Sequence, residues 1–153
     1  RGGDSCNGAV NASNFNDSEG VLYAEIEALA NDGTFRNISI SNGTTAQAIR
    51  IYYRSNDDQI TFLLGSSSGS SITTSITSAT DYIKVAAKYD TDTMKLFVNG
   101  VLKGTQTSLA MPTGLKQLDF NIANVLPFYG KAKQVLVFDS ALSDADCITL
   151  TTI

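Results

Sequence analysis

Two glutamates one residue apart, Glu25 and Glu27, are the first side chains in this sequence that could do acid–base work. Glycoside hydrolysis needs two carboxylates facing one substrate, one as the acid and one as nucleophile or base. On an extended strand the pair shares a face, about 7 Å apart at Cα. Glutamate favours surfaces, so the plain reading is a solvated or ion-paired couple, and the chain reads as a non-enzyme. A serine nucleophile has less support. Residues 65–69 (GSSSG) have the letters of a nucleophile elbow, but they sit in a Ser-rich polar stretch. The chain has no histidine to act as base, which also removes the commonest neutral metal ligand.

Hard-cation chemistry would need clustered oxygen ligands. Asp57 with Asp58, and Asp90 with Asp92, are the dense acidic turns. Each is a candidate for calcium and equally an ordinary hairpin tip, because Asp bonds its own turn backbone; no other cofactor is expected. Cys6 and Cys147 are too few for a four-ligand zinc site. They are either a disulfide joining the two ends, worth about 4–5 kcal/mol by the chain-entropy argument, or two separate buried thiols. Asn-x-Ser/Thr triplets begin at Asn11, Asn16, Asn37 and Asn42, and matter only if the chain passes a glycosylating secretory route.

For binding, the richest set is an outward row on the early strands: Tyr23, Glu25, Arg50, Tyr52 and Arg54. Aromatic faces stack on sugar rings, while Arg and Glu direct hydrogen bonds to hydroxyls. The competing reading is cross-strand pairing on a solvated sheet. A second candidate is the loop 124–130, where Pro127, Phe128 and Tyr129 put apolar bulk; the alternative there is an end plug for the core. Tyr and Arg also suit subunit contacts, so an oligomer such as a trimer stays open.

The elements that must position these groups are strands. The 153 residues fit one domain, 1–153, and are 42% hydrophobic and 17% charged, a globular composition. A net charge of −4 without a basic cluster argues against nucleic acid, and no apolar run is long enough to span a membrane. In 20–29, Leu22, Ala24, Ile26 and Ala28 alternate with Tyr23, Glu25 and Glu27. In 48–55, Ile49, Ile51 and Tyr53 alternate with Arg50, Tyr52 and Arg54. Further strands are expected at 35–41, 59–64, 81–90, 93–100, 101–105, 115–124 and 128–139, with a Thr/Ile strand after the Ser-rich stretch. Asn99-Gly100 is the strongest hairpin signal. Ser143, followed by Asp144 and Asp146, predicts the N-cap of a short closing helix.

Two segments carry a resemblance. DYIKVAAKYDTDTMKLFVNGVLKG (81–104) resembles the laminin-G-like pattern of a strand ending Tyr-Asp, a turn, and a strand ending Asn-Gly. FYGKAKQVLVFDSALSDADCITL (128–150) resembles the closing segment of that family, an aromatic-x-Gly before the last core strand and then a capped helical turn. With EGVLYAEIEAL as an early strand, the likeness covers most of 19–150. It implies an all-β, two-sheet antiparallel jelly-roll sandwich of the concanavalin A-like type, with six or seven strands per sheet and a short C-terminal helical turn. It also implies ligands on the concave face or edge loops, and neighbouring first and last strands, which would bring Cys6 and Cys147 within reach. The glucanases of this superfamily carry Glu-x-Asp-x-Glu on one strand; here the third acid and the flanking Trp are missing. Domains similar to this one occur in adhesins, lectin-like proteins and phage structural proteins. The implied function is a non-catalytic binding or adhesion module for a surface glycan or another structural protein. Its setting would be extracellular or on a virion such as a tail fibre, as part of a longer chain, with a purely structural oligomerisation module as the alternative.

Overall fold

The computed structural model describes residues 12–54, 58–66 and 70–153. Among these residues, ten strands form two five-stranded antiparallel sheets, closed by one α-helix. They are β1 (Glu19–Ala28), β2 (Arg36–Ser41), β3 (Ala48–Tyr53), β4 (Gln59–Leu64), β5 (Ser71–Ser75), β6 (Ile83–Asp90), β7 (Thr93–Val98), β8 (Val101–Gln106), β9 (Gln117–Asp119) and β10 (Gly130–Phe138), followed by α1 (Asp144–Thr151). The first sheet runs β10-β1-β6-β7-β8 and the second β5-β4-β3-β2-β9. Five strands per sheet among the described residues is fewer than the six or seven expected. The predicted 115–124 strand shrinks to Gln117–Asp119, because a tight turn interrupts the chain at Ala123 and Asn124.

Period-two alternation builds the core as anticipated. Leu22, Ala24 and Ile26 of β1, with Val85 and Ala87 of β6 and Leu96 of β7, face Ile38 and Ile40 of β2, Ile49 and Ile51 of β3, and Phe62 of β4. Each such side chain, fully buried, contributes about 1.5–3 kcal/mol of transfer free energy. Tyr53 spans the layers: its hydroxyl donates to the Ile26 carbonyl at 3.2 Å, at a place where β1 slips register against β10. At Asn99 (φ 49°) and Gly100 (φ 77°) the chain turns with two left-handed residues, the tight reversal that Asn-Gly announces.

A second apolar cluster lies on the outside of the first sheet. Val21 and Tyr23 of β1, Ala86 of β6 and Phe97 of β7 pack under Cys147 and Leu150 of α1. Ser143 caps the helix by accepting the Asp146 amide at 3.1 Å. Asp144 then anchors it. Lys88 and Lys95 stand directly opposite each other on β6 and β7, an unfavourable like-charge pair. Asp144 accepts from both, at 2.9 and 2.5 Å, and these two bonds hold its carboxyl below the usual range.

Candidate functional site

The five residues singled out as one binding row are divided by the fold. Tyr23 and Glu25 lie on the first sheet, Arg50, Tyr52 and Arg54 on or beside β3 of the second. Both strands point these residues away from the core, but the sheets face opposite ways, so the five cannot share one ligand. Tyr23 is only 1% exposed, because α1 covers it; burial, and then Glu25, raise its pKa. Glu25 accepts from Lys133 at 3.1 Å and Glu27 from Lys131 at 2.5 Å, so both glutamates are held in ion pairs. Lys133 also sits 3.8 Å above the Tyr82 ring.

The other half of the row stays together on the outer face of the second sheet. The registers place Ser39, Arg50 and Leu63 in one row, and Asn37, Tyr52, Thr61 and Thr73 in the next. Arg50 lies 5.9 Å from the Tyr52 ring centre, and Tyr52 lies 5.9 Å from the Phe35 ring, tilted by 39°. A cation and two rings therefore form a strip, continued by the exposed Arg54. Thr61 and Thr73 hydroxyls share a hydrogen bond of 2.8 Å beside it.

Arg50 is half-buried and its satisfaction is incomplete. One terminal nitrogen donates to the Gly65 carbonyl at 2.7 Å, while Nε is buried without a partner. No carboxylate lies within ion-pairing distance of it among the described residues. Burial lowers its pKa, with Tyr52 opposing, but a guanidinium stays protonated in proteins. Diagonal to it, Asn37 is 1% exposed; its Nδ2 makes a long 3.5 Å bond to the Leu126 carbonyl and its Oδ1 has no partner. A buried polar atom left unpaired costs about 1–3 kcal/mol, and more when charged. Two such atoms on one polar face suit a ligand that supplies an acceptor to Arg50 and a donor to Asn37.

The loop between β9 and β10 forms one side of this face. Ile122 and Val125 exchange both backbone hydrogen bonds at 2.9 Å, with Ala123 and Asn124 left-handed at the tip. Ser39 Oγ donates to the Asn121 carbonyl at 2.6 Å, pinning the loop to β2. Phe128 stacks on Tyr53, centres 6.4 Å apart, and plugs the sandwich end as the plainer reading proposed. Tyr129 does not; it stays 43% exposed, as do Val125 (54%) and Leu126 (42%). Elsewhere, a cleft of about 500 Å³ is lined mainly by apolar residues, Phe15, Leu118, Val135 and Val137 among them, with Ser13, Asn14 and Asp139 at its polar side.

The remaining sequence candidates separate cleanly. Asp57, Cys6, Asn11 and residues 67–69 lie outside the described residues. Asp58, left-handed at φ 53°, uses Oδ1 to accept the Ala79 amide at 2.6 Å and Asn31 at 3.1 Å, a loop-organising role. Asp90 and Asp92 accept from Thr91 and Thr93 at a hairpin tip. Among the described residues no group of three or more His, Cys, Asp or Glu could hold a metal. Cys147 is a buried free thiol whose pKa burial raises. The burial of Asn37 closes that triplet to glycosylation in the folded domain. Phe35 and Asn37 were missed by the sequence reading, since only long-range pairing places them beside Tyr52.

A comparison with curated proteins finds no match. Solved structures do share the fold. The CBM40 module of the Ruminococcus gnavus IT-sialidase, bound to alpha2,3 sialyllactose, superposes with a TM-score of 0.76 at 19% identity, over 98% of this chain and 93% of that one. The leech intramolecular trans-sialidase complexed with 2,7-anhydro-Neu5Ac gives 0.73 at 20% identity, over 90% of this chain and 24% of the larger one. Domain 4 of AbnA, a GH43 extracellular arabinanase from Geobacillus stearothermophilus in complex with arabinotriose, gives 0.71 at 14%, over 93% and 70%. The family described as the concanavalin A-like lectin/glucanases superfamily matches residues 3–147. With the two antiparallel sheets and the closing helix, that match establishes that the chain belongs to this superfamily.

Proposed function

We propose that this domain is a non-catalytic carbohydrate-binding module whose ligand lies on the outer face of the second sheet. Arg50 is its centre. The observation that carries the reading is the half-buried guanidinium with an unpartnered Nε and no carboxylate counter-ion among the described residues. A half-buried cation without a counter-ion is costly, and a ligand carboxylate would relieve it through a charge-assisted bond. Tyr52 and Phe35 offer rings for a sugar face, and Thr73, exposed and bonded to the buried Thr61 hydroxyl, offers a hydroxyl. An acidic glycan follows from this chemistry, and the sialyllactose-bound relative makes that sugar the natural probe. Glu25 and Glu27 take no part, since both are ion-paired on the opposite sheet. Such a module suits an extracellular protein or a virion adhesin.

Titration calorimetry with 3′-sialyllactose tests this. Arg50→Ala should weaken binding at least tenfold, and Tyr52→Ala several-fold, with unfolding curves that stay cooperative. Wild-type affinity for neutral lactose equal to that for sialyllactose, or full binding by Arg50→Ala, would remove Arg50 from the role.

A further inference from the structure

We propose that the glycan site is extended: the polar strip takes one sugar ring, and the apolar rim formed by Val125, Leu126, Tyr129 and Leu29 takes the next ring of an oligosaccharide. The inference rests on the carbohydrate reading above and specifies the length and direction of the ligand.

Four of the eight large apolar side chains left exposed among the described residues gather here. Leu29 donates its amide to the Tyr129 carbonyl at 3.3 Å, so the two residues adjoin, and Val125 and Leu126 belong to the same loop. Clustered exposed apolar surface marks a contact site rather than chance exposure. The backbone presenting it is constrained: Ala123, Asn124 and Leu126 all hold φ between 47° and 62° without being glycine. Such conformations cost free energy and concentrate where a loop must keep one shape. The paired hydrogen bonds of Ile122 with Val125, and the bond from Ser39 to Asn121, hold that shape against β2.

The occupant is set by what borders the rim. Asn37 sits beneath Leu126, joined by its 3.5 Å bond, and directly opposite Tyr52 across the strand pair. From Tyr52 through Asn37 to Leu126 the strip runs about 10 Å, from cross-strand spacing and that contact, longer than one pyranose. The unpartnered Asn37 Oδ1 lies at the junction and requires a donor. A sugar hydroxyl or amide N–H supplies it, while the C–H face of the adjoining ring covers the apolar residues. A purely apolar partner would leave Oδ1 unsatisfied.

Burying about 50–60 Å² of apolar surface on the rim corresponds to roughly tenfold in affinity. The test compares the methyl glycoside of N-acetylneuraminic acid, one ring, with 3′-sialyllactose, three rings, by calorimetry. The wild type should favour the trisaccharide about tenfold. The double variant Val125→Ser/Leu126→Ser, and separately Tyr129→Ala, should bring that ratio near one while leaving one-ring affinity unchanged. These side chains are exposed, so folding is retained, and thermal melts verify it. Equal affinity of the wild type for both probes overturns the inference while leaving the Arg50 site standing. An unchanged ratio in the variants does the same, all the more if they abolish a dimer seen by light scattering, which would make the rim a subunit contact. Absence of binding to either probe overturns both readings.

Discussion

Tyr53 shows how much one polar atom can carry inside an apolar layer. Its ring belongs to the core, and its hydroxyl crosses to the opposite sheet to satisfy the Ile26 carbonyl. Burial pushes its pKa far above the ordinary phenol value, so it stays a neutral donor throughout the working range. Tyr53→Phe keeps the packing but leaves that carbonyl without its partner, and should cost about 1 kcal/mol in urea unfolding. Arg36 makes a parallel case at the sandwich end. It is 4% exposed and donates to the carbonyls of Tyr129 at 2.7 Å and Thr34 at 2.9 Å, and to Asp32 at 2.8 Å. Arg36→Ala should cost about 2 kcal/mol, because two part-buried carbonyls lose charged donors. It should also loosen the rim loop, readable as faster amide exchange at residues 126–129. Alternation in the sequence assigned Tyr53 to the core correctly. It left Arg36 unread, since the role of Arg36 depends on a carbonyl 93 positions away.

Strand parity was legible in β1 and β3, and so was the Ser143 cap, because neighbours within a few residues determine them. Sheet membership was not, because alternation says which side of a strand is wet but not which layer the strand joins. That is why Tyr23 and Glu25 were grouped with Arg50, Tyr52 and Arg54, and why the expected closing helix was not placed over Tyr23. The helix itself supplies a pH prediction. The carboxyl pKa of Asp144 is depressed in the folded state, so its contribution is complete above the unfolded value, about 3.9, and fades as pH falls through the folded one. Asp144 is 39% exposed, so solvent screening limits the effect to about 1 kcal/mol. Asp144→Asn should lose that amount at pH 7, and the gap to wild type should close near pH 2. Gly130 tests the β10 entry. A Cβ there would press on the Glu27 carbonyl and come within 2.6 Å of the Phe128 ring, so Gly130→Ala should displace Phe128 and lower the melting temperature by several degrees.

The two sheets divide labour across the whole domain. The first is covered outside by α1, while the second turns polar residues outward, many of them buried, and leaves Arg50 Nε and Asn37 Oδ1 without partners. The chain reaches Ile153 immediately after α1, against the first sheet, where the Thr152 carbonyl accepts from Lys84 at 2.9 Å. A ligand seated as proposed would meet the domain on the side away from α1, in the way a palm is free when the grip is at the wrist.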